Sequence, residues 1–178
     1  MGQGMENRCR PALPEEMDLV RSLFREYQAG LNIDLCFQSF EEELASLPGR
    51  YAPPQGAILF AEGADGGVGG VVAMRALDPL TAEMKRLYVR PSFQGAGLGR
   101  ALAEAVIDVA RRRGYSRLRL DTLPMMGAAI ALYRKLGFVE IPAYTVNPIA
   151  GALYLELPLS RYFFNSAASR STIRGLAV

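Results

Sequence analysis

The chain has 178 residues, 50% of them hydrophobic and 21% charged, which fits one α/β or α+β domain with a real core and excludes a disordered chain. A formal net charge of +2 gives no whole-molecule field for nucleic acid, and the arginines are scattered rather than massed. The absence of histidine removes Ser-His-Asp, Cys-His and most zinc hydrolase sites, so acid and base work falls to Glu, Asp, Tyr, Cys or Lys.

Cys9 and Cys36 show neither metal-ligand spacing nor a disulfide framework, which suits a reducing compartment. No apolar run is long enough to span a bilayer, and residues 1–10 lack the hydrophobic stretch of a signal peptide. The expectation is a cytoplasmic, soluble protein without a membrane partner.

In chain order, residues 14–29 read as a helix. Pro14, Glu15 and Glu16 suit a first turn, and Val20, Leu23, Phe24 and Tyr27 form an apolar face that Gly30 closes. A second helix covers 40–47 and stops at Pro48-Gly49. Strands follow at 55–62 and 67–77, around the turn signal Gly63-Ala64-Asp65-Gly66-Gly67. The next strand runs over 83–89, and apolar residues at Leu98, Leu102, Ala105, Val106 and Val109 then recur at helical spacing as far as Gly114. A strand at 116–121, a helix at about 125–136 closed by Gly137, and strands at 138–141 and 152–157 complete the order. This succession mixes antiparallel and parallel pairing, which defines an α+β class with a mixed sheet in a single domain over 1–159. Residues 160–178 are small, polar and mildly basic and read as a disordered tail or an appended remnant.

The most informative stretch is Gln94-Gly95-Ala96-Gly97-Leu98-Gly99-Arg100, where glycines alternate as a strand gives way to a helix. The first N–H groups of a helix lack intrahelical partners and sit at the positive end of its dipole, so an anion satisfies them. A P-loop needs Gly-Lys-Ser/Thr, and Gly99 is followed by Arg100 and Ala101. A dinucleotide fingerprint needs glycine at the position of Arg100, although Asp121 lies about twenty residues on.

The stretch resembles the acetyl-CoA loop of the GNAT N-acetyltransferase superfamily, matched by Gln94, Gly97 and Gly99. Leu87-Tyr88-Val89-Arg90-Pro91 before it and Ala131-Leu132-Tyr133-Arg134-Lys135-Leu136-Gly137-Phe138 after it are similar to the same family at the expected spacing, over about residues 10–157. The resemblance implies a mixed central sheet with two splayed parallel strands, flanked by helices, with the acyl group in the wedge between them. It also implies that the backbone of Gln94, Gly95, Ala96, Gly97, Leu98, Gly99 and Arg100 cradles the pyrophosphate. The Arg100 side chain either adds charge there or lies on a solvated helix face. Backbone at Leu87, Tyr88 and Val89 would pair with the pantetheine arm and aim an N–H at the thioester oxygen, with Met126 and Ala129 alongside. Met126 stands where many relatives carry the asparagine that holds this arm.

An attacking amine must lose a proton, and Glu83 is the first candidate for general base; the alternative is an edge-strand carboxylate paired with Lys85 or Arg86. Tyr133 matches the tyrosine whose hydroxyl approaches the cofactor sulfur in many members, as acid for the departing thiolate, the alternative being a core tyrosine. Acceptor contacts are expected from Phe24, Tyr27, Leu31 and Phe37 on the first helices and from Tyr144 and Asn147 in the loop between the last strands. The resemblance thus implies a direct transfer of acetyl from acetyl-CoA to an amine acceptor without a metal. A binding module that keeps the acyl-CoA site without turnover and a dinucleotide oxidoreductase stand as alternatives. The sequence leaves the acceptor's identity and the oligomeric state open, a homodimer being one option.

Overall fold

The computed structural model describes residues 8–32, 34 and 39–159, so Cys36, Phe37 and the tail at 160–178 lie outside the described residues. Two helices open the chain after a short strand β1 (Arg8–Pro11): α1 (Met17–Leu31) and α2 (Phe40–Ser46). Strands β2 (Ala57–Glu62), β3 (Val68–Asp78) and β4 (Thr81–Val89) follow, then α3 (Leu98–Arg112), β5 (Arg117–Thr122), α4 (Gly127–Lys135), β6 (Val139–Glu140) and β7 (Leu153–Pro158). The strands form one sheet in the order β1-β2-β3-β4-β5-β7-β6. Only β4 and β5 are parallel, because α3 must cross over between them.

The sheet separates two apolar layers. Leu59, Val72, Met74, Ala82, Met84, Leu118 and Leu120 lie under α3, which presents Leu98, Leu102, Val106 and Ile107. On the other face Ile58, Phe60, Val71 and Ala73 meet Val20, Leu23 and Phe24 of α1 and Phe40 and Leu44 of α2. A fully buried Leu or Phe contributes about 2 kcal/mol, against less than about 1 kcal/mol for an exposed pair such as Arg25–Glu41, so these layers hold the fold. Gly30 does not close α1, as its spacing suggests; the helix runs past it and stops at Asn32, which takes the left-handed conformation with φ 51°.

Helix α3 sits close to the β2–β3 hairpin because Gly63, Gly69 and Gly70 leave a bare strip there. A Cβ at any of them would fall within 3 Å of Phe93, Leu98 or Leu102. Phe93 and Leu98 bracket the glycine loop, so the strip fixes both of its ends.

Strand β1 has no apolar alternation to announce it. It pairs antiparallel with β2 and is pinned by Arg10, whose guanidinium donates from both terminal nitrogens to Glu16 at 2.8 Å and from Nε to Glu62. Arg10 first, and the Leu13 N–H second, hold the Glu16 carboxyl down at about 2. A carboxyl depressed in the fold stabilises it fully above its ordinary value near 4.5 and loses that contribution as pH falls through the folded value. Thermal melts of the wild type and Glu16→Gln are therefore expected to differ above about pH 4.5 and to converge toward pH 2. Curves that stay parallel across that window would show that the clamp contributes nothing.

Candidate active site

Strands β4 and β5 pair only at Thr81–Glu83 against Arg117–Arg119 and then part. Beyond Glu83 the β5-facing backbone of β4 meets no β5 partner. A bulge drives the divergence: Val71 pairs with Tyr88 and Ala73 with Lys85, so Arg86 and Leu87 together oppose Val72. Arg86 lies at φ 59°, a left-handed conformation that costs a non-glycine residue roughly 1–3 kcal/mol. Its buried side chain is fixed by a two-pronged ion pair to Glu43 of α2, 2.9 Å at each prong, and by the Phe40 ring beneath it at 5.1 Å.

On one side of the wedge lies a groove of about 510 Å³. Of the expected donor-binding residues, Leu87, Tyr88, Val89, Gln94, Gly99, Met126 and Ala129 line it, together with Tyr27. Gly95 and Gly97 lie at φ 82° and 80°, Gly97 as the N-cap of α3, and a Cβ on Gly95 would enter open space beside the loop. That bare, positively curved backbone at a helix start fits a pyrophosphate. Leu98 is buried beneath the loop and Ala96 lies within it, so both offer backbone only. Arg100 donates to Glu104 at 2.8 Å on an exposed helix face, the solvated arrangement.

The groove narrows to a throat of about 40 Å³ that shares Tyr27, Leu31, Leu87 and Met126 with it and adds Lys85, Asp121, Tyr133 and Asn147. Tyr133 is placed there by a helix cap. Gly137 at φ 96° lets the Phe138 N–H reach the Tyr133 carbonyl at 3.0 Å and its own N–H reach Arg134 at 3.1 Å, while the Phe138 ring packs on Tyr133 at 5.7 Å. Burial, aided by Tyr27 and Asp121, pushes the Tyr133 phenol far above its ordinary value. Its hydroxyl makes no hydrogen bond among the described residues and stays protonated.

Past the throat a chamber of about 90 Å³ shares Lys85, Arg86 and Asp121 with it, and beyond that an outer bowl of about 380 Å³ shares Glu43 and Arg75 with the chamber. Asp121 accepts from Lys85 at 3.1 Å and from Asn147 at 3.0 Å. Burial raises its carboxyl, but Lys85 and Asn147 outweigh burial and hold it below the ordinary value. Lys85 escapes a reading of the sequence as a site residue, and Asp121 enters it only as the acid that a dinucleotide fingerprint would use. Their signal is the period of two that sets Glu83 with Lys85, and Arg119 with Asp121, on one face of each strand.

The other expected site residues scatter. Glu83 is not on an edge: β4 is central, and Glu83 is buried there with Arg75 on one oxygen at 2.7 Å and the Tyr144 hydroxyl on the other at 2.8 Å, rather than with Arg86. Lys85 stands further off, at 3.9 Å. Glu83 itself lines neither the throat nor the chamber. Tyr144 is held under Arg119 and against Tyr154, and burial with Glu83 beside it pushes its phenol up. Phe24 is core, edge-on to Tyr51, and lines none of these cavities.

A sheet splayed beside a glycine loop, with cavities clustered at the splay, is the arrangement that the resemblance to acyl-CoA-dependent acyltransferases implies. Residues 18–138 match the family model described as acetyltransferase (GNAT) family, and the chain belongs to that family. It is 38% identical over 150 residues to an uncharacterized N-acetyltransferase of Schizosaccharomyces pombe, spanning 84% of this chain and 92% of that one. It is 32% identical over 123 residues to the N-acetylaspartate synthetase of Danio rerio, across 68% of this chain and 43% of that one. A Salmonella typhimurium protein solved with its cofactor acetyl-CoA superposes with a TM-score of 0.64 at 24% identity, covering 92% and 99% of the two chains. The protein is thus an acetyltransferase of the GNAT family with acetyl-CoA as its donor. Among the described residues no helix is long and apolar enough to cross a membrane.

Proposed function

We propose that the protein moves acetyl directly to a primary amine in a ternary complex, with no covalent enzyme intermediate. The observation that carries this is that the donor groove and the charged chamber each share lining residues with the same throat, and share different ones, which gives two substrates a common meeting point.

Bound acetyl-CoA supplies an activated acyl carbon. The loop from Gln94 to Arg100 holds its phosphates, and the β5-facing side of the β4 backbone over Leu87 to Val89 orients the arm and offers an N–H to the carbonyl oxygen. As the N–C bond forms and the C–S bond breaks, Tyr133 gives the departing sulfur a proton. Tyr27 and Asn147 border the throat and position the amine. The amine's proton passes through water and the Tyr144 hydroxyl to Glu83, the only acceptor to which that hydroxyl donates among the described residues. Acetyl transfer is tested by thiol release from acetyl-CoA with a panel of amines. Amine-dependent release is expected, whereas donor binding without it would favour a module that only binds. The name of the Danio rerio relative puts its product's acetyl group on an amino acid, so free amino acids belong in that panel.

The base role has its own test. Glu83→Gln is expected to lower the rate at neutral pH at least about tenfold and to leave a profile that rises with the amine's own ionisation. An unchanged rate and an unchanged alkaline limb would remove Glu83 from the mechanism.

A further inference from the structure

We infer that the acceptor is a free α-amino acid, its carboxylate seated on Arg75 and its amine directed past Asp121 into the throat. This deepens the reading of the site as an acetyl-transfer centre and rests on it. A ladder of alternating charge runs beside the chamber, with its Glu83 rung behind the lining: Arg75 to Glu83 at 2.7 Å, Glu83 to Lys85 at 3.9 Å, Lys85 to Asp121 at 3.1 Å. The Arg86–Glu43 pair forms the opposite wall. Arg75, Lys85 and Arg86 line the chamber against Asp121 and Glu43, and the Glu83 carboxylate behind Arg75 and Lys85 brings the cluster to a formal charge of zero.

That balance selects by charge. A polyamine would bring two or more positive charges against carboxylates that already have cationic partners, and like charges in a confined site are costly. A zwitterion adds no net charge and offers each end an opposite one. The ladder also sets the direction. Lys85 is committed to Asp121 and Glu83, and Arg86 to Glu43. Arg75 gives only its Nε to Glu83 among the described residues, which leaves the terminal fork for a carboxylate. Arg75 lines both the bowl and the chamber, whereas Lys85 and Asp121 line both the chamber and the throat. The carboxylate seat is therefore on the bowl side of the chamber and the amine's path on the throat side.

Size and a stranded hydroxyl complete the case. The chamber's 90 Å³ holds about six water-sized groups, the bulk of an amino acid's common part, and a side chain would extend into the outer bowl. Tyr51 lines that bowl, and its buried hydroxyl makes no well-formed hydrogen bond among the described residues, with only a weak contact to the Glu43 carboxylate. A polar acceptor side chain would satisfy it.

The test compares each amino acid with its amide and its decarboxylated amine in the thiol-release assay. The wild type is expected to favour the acid over the amide by about a hundredfold in kcat/KM. Arg75→Lys, which keeps a cation beside Glu83 but loses the fork, should raise the amino-acid KM about tenfold and leave the acetyl-CoA KM unchanged. Tyr51→Phe loses at most a weak contact to Glu43 in the free protein, so it should fold normally and raise KM only for amino acids with polar side chains; it decides the matter, with the wild-type panel, if the Arg75 variant does not fold. Amides or decarboxylated amines used as well as the acids, or turnover of polyamines or peptide N-termini but not of amino acids, would overturn the acceptor class and leave acetyl transfer standing. Acetyl-CoA binding with no release by any amine would instead overturn transfer, and this inference with it.

Discussion

Replacing Tyr133 by phenylalanine is expected to lower kcat about a hundredfold and to leave the acetyl-CoA KM nearly unchanged. The ring is fixed by the Gly137 cap and by Phe138, contacts that phenylalanine retains. The lost hydroxyl has no hydrogen-bond partner among the described residues, so the melting temperature should not fall. In the proposed mechanism, what disappears is a proton that burial keeps on the phenol oxygen beside the throat. A hundredfold loss corresponds to about 2.7 kcal/mol of barrier, within the range of one positioned acid. Steady-state kinetics with acetyl-CoA and with a thioester of a more acidic thiol check the role, because a better leaving group needs less help and should narrow the gap. A variant that turns over within twofold of wild type would make Tyr133 a packing residue.

Removing the carboxylate of Glu43 should have the largest effect on stability. The Arg86 side chain is 2% exposed, and in Glu43→Leu its guanidinium loses both prongs of its ion pair in a buried setting. Breaking a buried pair from one side costs roughly 3–5 kcal/mol, whereas replacing both partners by apolar groups is often near neutral. Denaturant unfolding should therefore show a large loss for Glu43→Leu and substantial recovery in Glu43→Leu/Arg86→Met. Because Arg86 is the bulge residue, the single variant should also weaken acceptor turnover. A loss below about 1 kcal/mol would mean that the bulge holds its shape without the pair.

Much of this fold is legible in the sequence because its strands and helices keep their periods and their stops. Gly137 marks the end of α4 and, through its cap, the seat of Tyr133. The glycine loop lies where its spacing puts it, at the start of α3. Strand β1 is illegible because it is short and polar, and only the open edge of β2 gives it a partner. The bulge at Arg86 is hidden for the opposite reason: a left-handed residue is expected to be glycine, and here tertiary contacts to Glu43 and Phe40 hold an arginine there. Glu83 reads as an edge carboxylate only while the position of β5 is unknown. Lys85 reads as an ordinary strand charge, and Asp121 as the acid of a dinucleotide fingerprint, until α1 and α2 are seen to cover one half of the sheet and leave the other half to the charged chamber.

The bare strip of Gly63, Gly69 and Gly70 has a consequence for how this protein tolerates change. None of the three lines the donor groove, yet a methyl group on any one would press Phe93, Leu98 or Leu102 outward and tilt the phosphate cradle they anchor. Part of the protein's grip on its donor is thus encoded by missing atoms on the far side of a helix, where a search for ligand contacts would never look.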